Sequence, residues 1–157
     1  MGATAPERFV VKKILGYGLS ACTVISCLVL SPAASRADSM PAIAGVFNDP
    51  SGCLTRQDTR LFSSCEGTVQ VVFPLIIAGS NHTLGVNVTT TLPTGVSCIG
   101  QVLRADGVTL VQSTGFVTTP ASGNQALSLG AVSVPFAGTV SVTCEMTQGS
   151  SINSINW

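Results

Sequence analysis

The chain has 157 residues, of which 45% are hydrophobic and only 9% charged. This composition excludes an intrinsically disordered chain, which needs low hydrophobicity and high net charge. The length leaves room for one ordinary domain once a leader is removed, and not for two well-packed ones.

Residues 1–37 have the layout of a secretion signal. Basic side chains precede an apolar stretch over residues 14–30 that contains no charged residue. Ser35 and Ala37 then occupy the small-residue positions three and one before a cut. We therefore expect cleavage and a mature domain over residues 38–157 with no membrane span. An uncleaved anchor is the alternative, but the stretch only reaches the lower limit of about 17 residues for a bilayer span.

The expected mature domain carries three arginines against six carboxylates and no lysine, which gives a net charge of −3. A surface of this kind cannot track phosphate groups by counterion release, so nucleic acid and anionic membranes are poor partners. We expect an exported protein, periplasmic, on the cell surface or secreted, and its plain composition is typical of a bacterial one.

Four cysteines remain in the mature domain: Cys53, Cys65, Cys98 and Cys144. An even number in an exported chain predicts disulfides, with three connectivities open. Local pairing, the first with the second and the third with the fourth, is the simplest. Zinc is disfavoured because the mature domain has no C-x-x-C pair and His82 is the sole histidine of the chain, so we expect no metal.

The clearest periodicity after Cys65 is two, as in strands. In TLGVNVTTT, the side chains of Leu84, Val86 and Val88 fall on one face. Asp106-Gly107 between two β-rich runs predicts a hairpin that pairs residues 96–104 with residues 108–114.

The remaining strands are predicted on either side of these. We expect strands over residues 42–47, 126–134 and 138–146, and a last one that contains Ile152 and Ile155. Turns are expected over residues 48–52 and 135–138. The run TVQVVFPLII is apolar on both faces, as in a buried central strand, but Pro74 within it predicts an edge or a bulge.

About seven short strands with closely spaced turns predict an all-β fold. We expect a two-sheet antiparallel β-sandwich with two disulfides and an immunoglobulin-like or jelly-roll topology. A small closed barrel is the alternative.

Catalytic parts are missing from the sequence. His82 lies in GSNHT, which predicts a solvated turn, and neither a G-x-S-x-G motif nor a Gly-rich phosphate loop is present. The carboxylates of Glu66, Asp106 and Glu145 are dispersed, and Glu145 should point away from its neighbour Cys144. We therefore expect no enzyme and no cofactor.

The stretch CLTRQDTRLFSSC concentrates charge between two cysteines. Arg56, Asp58 and Arg60 form a candidate recognition loop whose entropy the disulfide would lower. The simpler interpretation, which we favour, is a stapled loop in which Asp58 pairs weakly with an arginine in water.

Sugar binding would need an exposed aromatic ring, and Trp157 is the candidate for stacking. The mature domain also holds five phenylalanines, which we expect in the core: Phe47, Phe62, Phe73, Phe116 and Phe136. Asn81 and Asn87 begin N-x-[ST] sequons that would matter only in a eukaryotic secretory pathway, and their spacing would let both face solvent.

The sequence thus favours a non-enzymatic exported sandwich that acts through protein contacts, as an envelope component, a surface component or an accessory module, or by self-association. The strand edge around residues 71–77 is the expected place for such a contact. The alternative is a module that binds carbohydrate or another ligand, and the third class is an enzyme with dispersed carboxylates.

Overall fold

A computed structural model of the chain describes residues 38–157 except Asn48, Pro50 and Ala78. The predicted secretion signal, residues 1–37, lies outside the described residues. Ten strands and one short 3-10 helix, Ala42–Ala44, make up the described part. The strands are β1 (Ser39–Pro41), β2 (Leu54–Gln57), β3 (Arg60–Ser63), β4 (Val69–Leu75), β5 (Asn81–Thr90), β6 (Val96–Leu103), β7 (Leu110–Thr118), β8 (Gly123–Ser133), β9 (Thr139–Met146) and β10 (Ser151–Asn156).

The strands form two antiparallel sheets. The six-stranded sheet has the order β2-β3-β10-β5-β8, with β1 paired to β10, and the four-stranded sheet has the order β4-β9-β6-β7. The predicted all-β sandwich is therefore confirmed. Across the described part of the chain there is no helix with the length and apolar character that a bilayer span requires.

Alternation along the strands builds the core between the sheets. Leu84, Val86 and Val88 of β5 are buried, as predicted, and Val96 and Cys98 of β6 are buried on the facing sheet. Because successive side chains of a strand point to opposite sides, each strand also presents an outward row. The two outward faces are therefore dictated by the same pattern that fills the core.

Two disulfides cross-link the described domain: Cys53–Cys65 and Cys98–Cys144. These are the pairs that the sequence favours. The second joins directly opposite residues of the neighbouring strands β6 and β9, inside the core. The first closes the base of the β2–β3 hairpin.

The stretch between Cys53 and Cys65 was expected to be a loop, and this was wrong. It forms a hairpin in which Gln57 pairs with Arg60, so that only two residues make the turn. Asp58 adopts a positive φ of 54°, the conformation that a two-residue hairpin turn needs. Asp-Thr is a weak signal for such a turn, which is why the sequence did not predict it.

The strand predicted over residues 42–47 was also wrong. The chain pairs with β10 earlier, over Ser39–Pro41, then turns through the 3-10 helix and reaches the other sheet at Val46, which bridges to Val72 of β4. A segment that crosses from one sheet to the other cannot remain a single strand. Gly45 permits the crossing, because a Cβ there would lie 2.6 Å from Phe73 Cε1.

The hairpin at Asp106-Gly107 is confirmed, with β6 paired to β7. Strand β7 begins at Leu110, because the Asp106 carboxylate accepts hydrogen bonds from the Val108 and Thr109 amides at 2.9 Å and lengthens the turn. The predicted edge position of Pro74 is confirmed by β4, which lies at one edge of its sheet. His82, expected in a turn, lies instead in β5 opposite Val132.

The two disulfides should differ in their contribution to stability. Replacing both Cys98 and Cys144 by alanine should lower the free energy of unfolding by about 4 kcal/mol, against about 3 kcal/mol for the same change at Cys53 and Cys65, because the longer loop restricts the unfolded chain more. Urea denaturation under oxidising conditions measures both values. Strongly reducing conditions should break both disulfides, so the wild type should lose the stability that the two contribute together. A wild type whose stability does not respond to reductant would contradict this account.

Candidate functional site

The charged residues of the β2–β3 hairpin do not form the ion pair expected for Asp58. In the described residues, no arginine nitrogen lies within the 4.0 Å of a carboxylate oxygen that defines an ion pair. The Arg56 guanidinium instead lies 5.2 Å from the centroid of the Phe47 ring, and its Nη2 donates to the Gly45 carbonyl at 3.4 Å. Arg56 is paired with the buried Leu61 and so covers the open side of the core, while Asp58 and Arg60 stay exposed at the turn.

The outward side of the six-stranded sheet carries mainly uncharged polar side chains, with Phe62 and Arg60 of β3 as exceptions, and we call it the polar face. One row in register across the sheet consists of Thr55, Phe62, Ser151, Thr89 and Asn124. The next rows contain Ser154 with Asn87 and Asn156 with Ser128. Hydroxyl and amide groups in these rows are the hydrogen-bonding groups that a neutral polyol uses.

Hydrogen bonds link the side chains of the polar face. Asn87 Nδ2 donates to Ser154 Oγ at 2.9 Å, Asn153 Nδ2 donates to Thr89 Oγ1 at 3.1 Å, and Thr89 Oγ1 donates to Asn124. Of the two sequon asparagines, Asn81 is exposed, whereas Asn87 is half-buried and held by Ser154. The network fixes the amides on the face before any ligand arrives.

Trp157 borders the polar face. Its backbone pairs with Asp38 through two hydrogen bonds of 2.9 Å, and its side chain is half-buried against the core. Trp157 lines a shallow depression of about 220 Å³, whose lining combines Thr83, Ser128 and Asn156 with the apolar Leu84, Ala126 and Leu127. One aromatic surface therefore lies beside three uncharged polar side chains.

The outward side of the four-stranded sheet is different, and we call it the apolar face. One register row crosses the whole sheet and consists of Val46, Val72, Thr143, Ile99 and Phe116. Thr143 is only 9% exposed although it points outward, because its neighbours in the row shield it. At about 4.8 Å per strand, this row is about 19 Å long.

Exposed hydrophobic side chains concentrate on the apolar face and at its end. In the described part of the chain eight large hydrophobic side chains are exposed, and all but Leu92 belong to strands of this sheet, to Val46 bridged to it, or to the connections beside it. Phe116 is 59% exposed, and Ile76 and Phe136 at strand ends are 97% and 99% exposed. The expectation that the phenylalanines fill the core was wrong for Phe116 and Phe136, and for Phe62, which points outward on the polar face. Phe73 is fully buried, and Phe47 packs half-buried against the core.

Backbone edges of the sheets are closed by local contacts rather than left for a partner strand. At β4, Val46 and Val72 exchange two hydrogen bonds, at 2.7 and 2.9 Å, and Pro74 has no N–H to offer. At β2, the Leu54 amide donates to Asp49 Oδ2 at 2.7 Å. The edge expected around residues 71–77 is thus present but partly covered, and edges blunted in this way resist strand addition.

The β8 edge is closed by a side chain. Gln112 Nε2 donates to the Ala131 carbonyl at 3.1 Å, and its Oε1 accepts from the Ser133 amide at 2.9 Å. The amide of Gln112 therefore replaces a residue of a missing strand between β7 and β8. It also ties the two sheets together at this side of the sandwich.

The carboxylates serve turns or lie apart. Hydrogen bonds, first from the Thr109 hydroxyl, lower the pKa of Asp106, and those led by the Leu54 amide lower the pKa of Asp49. Glu145 points outward from β9 opposite Gln70, as predicted, near the end of the sheet where Val96 pairs with Met146. The Asp106 turn lies at the other end, about 20 Å away for a strand of seven residues.

The one group of potential metal ligands found within the described residues consists of Asp49, Cys53 and Cys65, whose ligand atoms lie within 4.8 Å of one another. The two sulfur atoms are bonded to each other, so neither is a thiolate. This cluster supplies a cross-link rather than a metal site.

Comparison with known proteins gives the fold. No model of a known protein family matches the chain, and no curated protein does. Among solved structures, the C-terminal CBM6 of LamC, a marine laminarinase from Zobellia galactanivorans, is similar with a TM-score of 0.54 and 13% identity, over 77% of this chain and 98% of that one.

Two further structures are similar at lower scores. The GH26-CBM35 β-(1,4)-mannanase of Podospora anserina has a TM-score of 0.46 at 15% identity, over 76% of this chain and 27% of that one. The carbohydrate-binding module CBM6cm-2 of Cellvibrio mixtus lichenase 5A, in complex with cellotriose, has a TM-score of 0.45 at 14% identity, over 76% and 94%. The likeness to the CBM6 of LamC, at 13% identity, establishes the shared β-sandwich alone.

Removing the Gln112 amide should open the β8 edge. Gln112→Ala should lower the free energy of unfolding by about 1 kcal/mol, the usual net value of exposed hydrogen bonds, and should speed hydrogen exchange at the Ser133 amide. Ser113→Ala, a change at the next residue of the same strand, is the matched control and should do neither. Unchanged exchange at Ser133 in Gln112→Ala would show that the edge is closed by something else.

Proposed function

We propose that this protein is an exported, non-enzymatic β-sandwich that acts by contact with another protein through its apolar face. The observation that carries the proposal is the concentration of seven exposed large hydrophobic side chains on one sheet and its connections. When a partner covers such side chains, apolar surface is removed from water, which is favourable. Clusters of them therefore mark interaction surfaces. Two disulfides support an oxidising location, such as the periplasm, the cell surface or the medium.

Contact by side chains fits the closed edges of the sheets. A partner that added a strand to β4 would have to displace Val46 and would meet Pro74, whereas the apolar face is open. Phe116 and Leu110 stand out from β7 at the rim of that face. Aromatic side chains of this kind are frequent anchors of protein interfaces.

A photoreactive phenylalanine analogue at position 116 tests this proposal in the exported protein. Irradiation in the producing cells should give a defined protein adduct, or a dimer if the partner is a second copy. Phe116→Ser should weaken capture of the identified partner about tenfold, since burial of a phenylalanine ring contributes at least about 1.5 kcal/mol.

The matched control places the same analogue at position 128, on the polar face. Adducts there, and none at position 116, would reject the apolar face as the protein contact. A wild-type and a Phe116→Ser protein that capture the partner equally would also reject it.

A second candidate function is the binding of neutral carbohydrate on the polar face. Two observations support it: the rows of uncharged hydroxyl and amide groups, and the Trp157 ring beside Thr83, Ser128 and Asn156. A sugar offers hydroxyl groups to such side chains and an apolar ring face to tryptophan. The shared fold with a CBM6 domain is compatible with this candidate.

Retention on immobilised neutral polysaccharides tests the second candidate. The exported protein should be retarded on at least one of β-glucan, mannan and cellulose, and Trp157→Ala should be retarded less, because the stacking surface is lost. Phe136→Ser removes an exposed ring far from the polar face and should behave as the wild type. Uniform flow-through of the wild type would exclude these three polysaccharides as ligands and reject this candidate.

A further inference from the structure

An open depression of about 420 Å³ lies at one end of the four-stranded sheet, beside the apolar face. It is lined by Arg104, Ala105, Val111, Pro135 and Phe136. The first three come from the β6–β7 hairpin and the last two from the connection that leads into β9. Its volume is within the range of small-ligand sites.

Turns hold both walls of the depression in place. On one side, the Arg104 amide donates to the Thr109 carbonyl and the Gly107 amide to the Arg104 carbonyl, each at 2.9 Å. On the other side, the Gly138 amide donates to the Pro135 carbonyl at 2.9 Å. These hydrogen bonds fix the backbone that carries the lining residues, whereas the Phe136 side chain itself is 99% exposed.

Arg104 is the single cationic residue of this lining, and the other four residues are apolar. Among the described residues, its guanidinium has no hydrogen-bond or ion-pair partner. The nearest carboxylate along the chain, Asp106, directs its oxygens to the Val108 and Thr109 amides and the Thr109 hydroxyl of its own turn. The guanidinium is therefore available to an external anion.

We propose that this depression binds a carboxylate carried on an apolar body, with the carboxylate at Arg104 and the body against Val111, Pro135 and Phe136. A guanidinium pairs with a carboxylate through two parallel hydrogen bonds, and apolar walls favour the hydrocarbon part. A polyanion would find only one cation, and a neutral polyol would find few hydrogen-bonding groups. Val111 and Phe136 also belong to the seven exposed hydrophobic side chains of the proposed protein contact. The pairing of a carboxylate with Arg104 is a separate proposal, which neither that contact nor sugar binding includes.

Titration of the exported protein with octanoate and with octanamide, followed by amide chemical shifts, tests the proposal. Octanoate should shift the amides of Ala105, Val111 and Phe136 and bind about two- to fivefold tighter than octanamide, the range of an exposed ion pair. The same comparison between N-acetylphenylalanine and its amide shows whether the carboxylate belongs to a fatty acid or to a peptide terminus. The source whose acid binds tighter is the better match.

Two exposed positions allow variants that should keep the fold. Arg104→Gln should abolish the preference for the acid over the amide, and Phe136→Ser should weaken both about tenfold, since the apolar wall is lost. Arg60→Gln, at an exposed arginine of the β2–β3 hairpin, is the control and should change nothing. The proposal is overturned if neither acid shifts these amides at millimolar concentration, or if the preference survives Arg104→Gln.

Discussion

The inward side chains of β5 and β6 face each other between the two sheets. How closely these side chains pack sets the distance between the sheets. Leu84 of β5 lies over Gly100 of β6, where a Cβ would come within 2.6 Å of Leu84 Cδ1. A side chain at position 100 would displace the Leu84 side chain and disturb the packing of the core between the sheets. The cross-strand disulfide between Cys98 and Cys144 lies in the same layer and holds β6 against β9. Burial of this layer determines which side chains face outward on both sheets.

A sandwich with two open sheets has four strand edges, and in this chain a few residues cover part of three of them. Val46 covers part of β4, Asp49 covers part of β2, and Gln112 covers part of β8. Arg56 adds a cap over Phe47 where the chain crosses between the sheets. These contacts protect backbone groups that would otherwise recruit another strand. The surfaces left for a partner are side-chain surfaces, which differ strongly between the two sheets.

Local patterns were sufficient for much of the fold. Alternation in β5, the Asp106-Gly107 turn and the position of Pro74 each depend on nearby residues, so the sequence predicted them. The β2–β3 hairpin escaped because Asp58 adopts its turn conformation without glycine, and β1 was misplaced because its pairing with β10 joins the two ends of the domain. The first error reflects a weak local turn signal, and the second a contact between distant segments that neither segment encodes alone.

The candidate surfaces were harder to predict for a related reason. Val72, Thr143, Ile99 and Phe116 are far apart along the chain and form one row only through the order and register of four strands. Phenylalanine is usually a core residue, but Phe116 lies on the outward side of β7, which no other sheet covers, and Phe136 lies in the connection between β8 and β9. One sequence signal for an exposed apolar surface was available: Val108 and Phe136 lie in turns, where large apolar residues are uncommon. Trp157 could be singled out as a stacking candidate because it is the sole tryptophan. Its polar neighbours could not be predicted, because they come from three different strands.

The arrangement of the two faces has a consequence for how the proposed functions would combine. Stacked sheets lie about 10 Å apart, so a ligand on the polar face and a protein on the apolar face would not touch. Coupling between them would have to pass through the close-packed, disulfide-linked core. If the core kept its packing when one face was occupied, the affinity of the other face would stay unchanged, and neither of the two proposed partners would regulate the other.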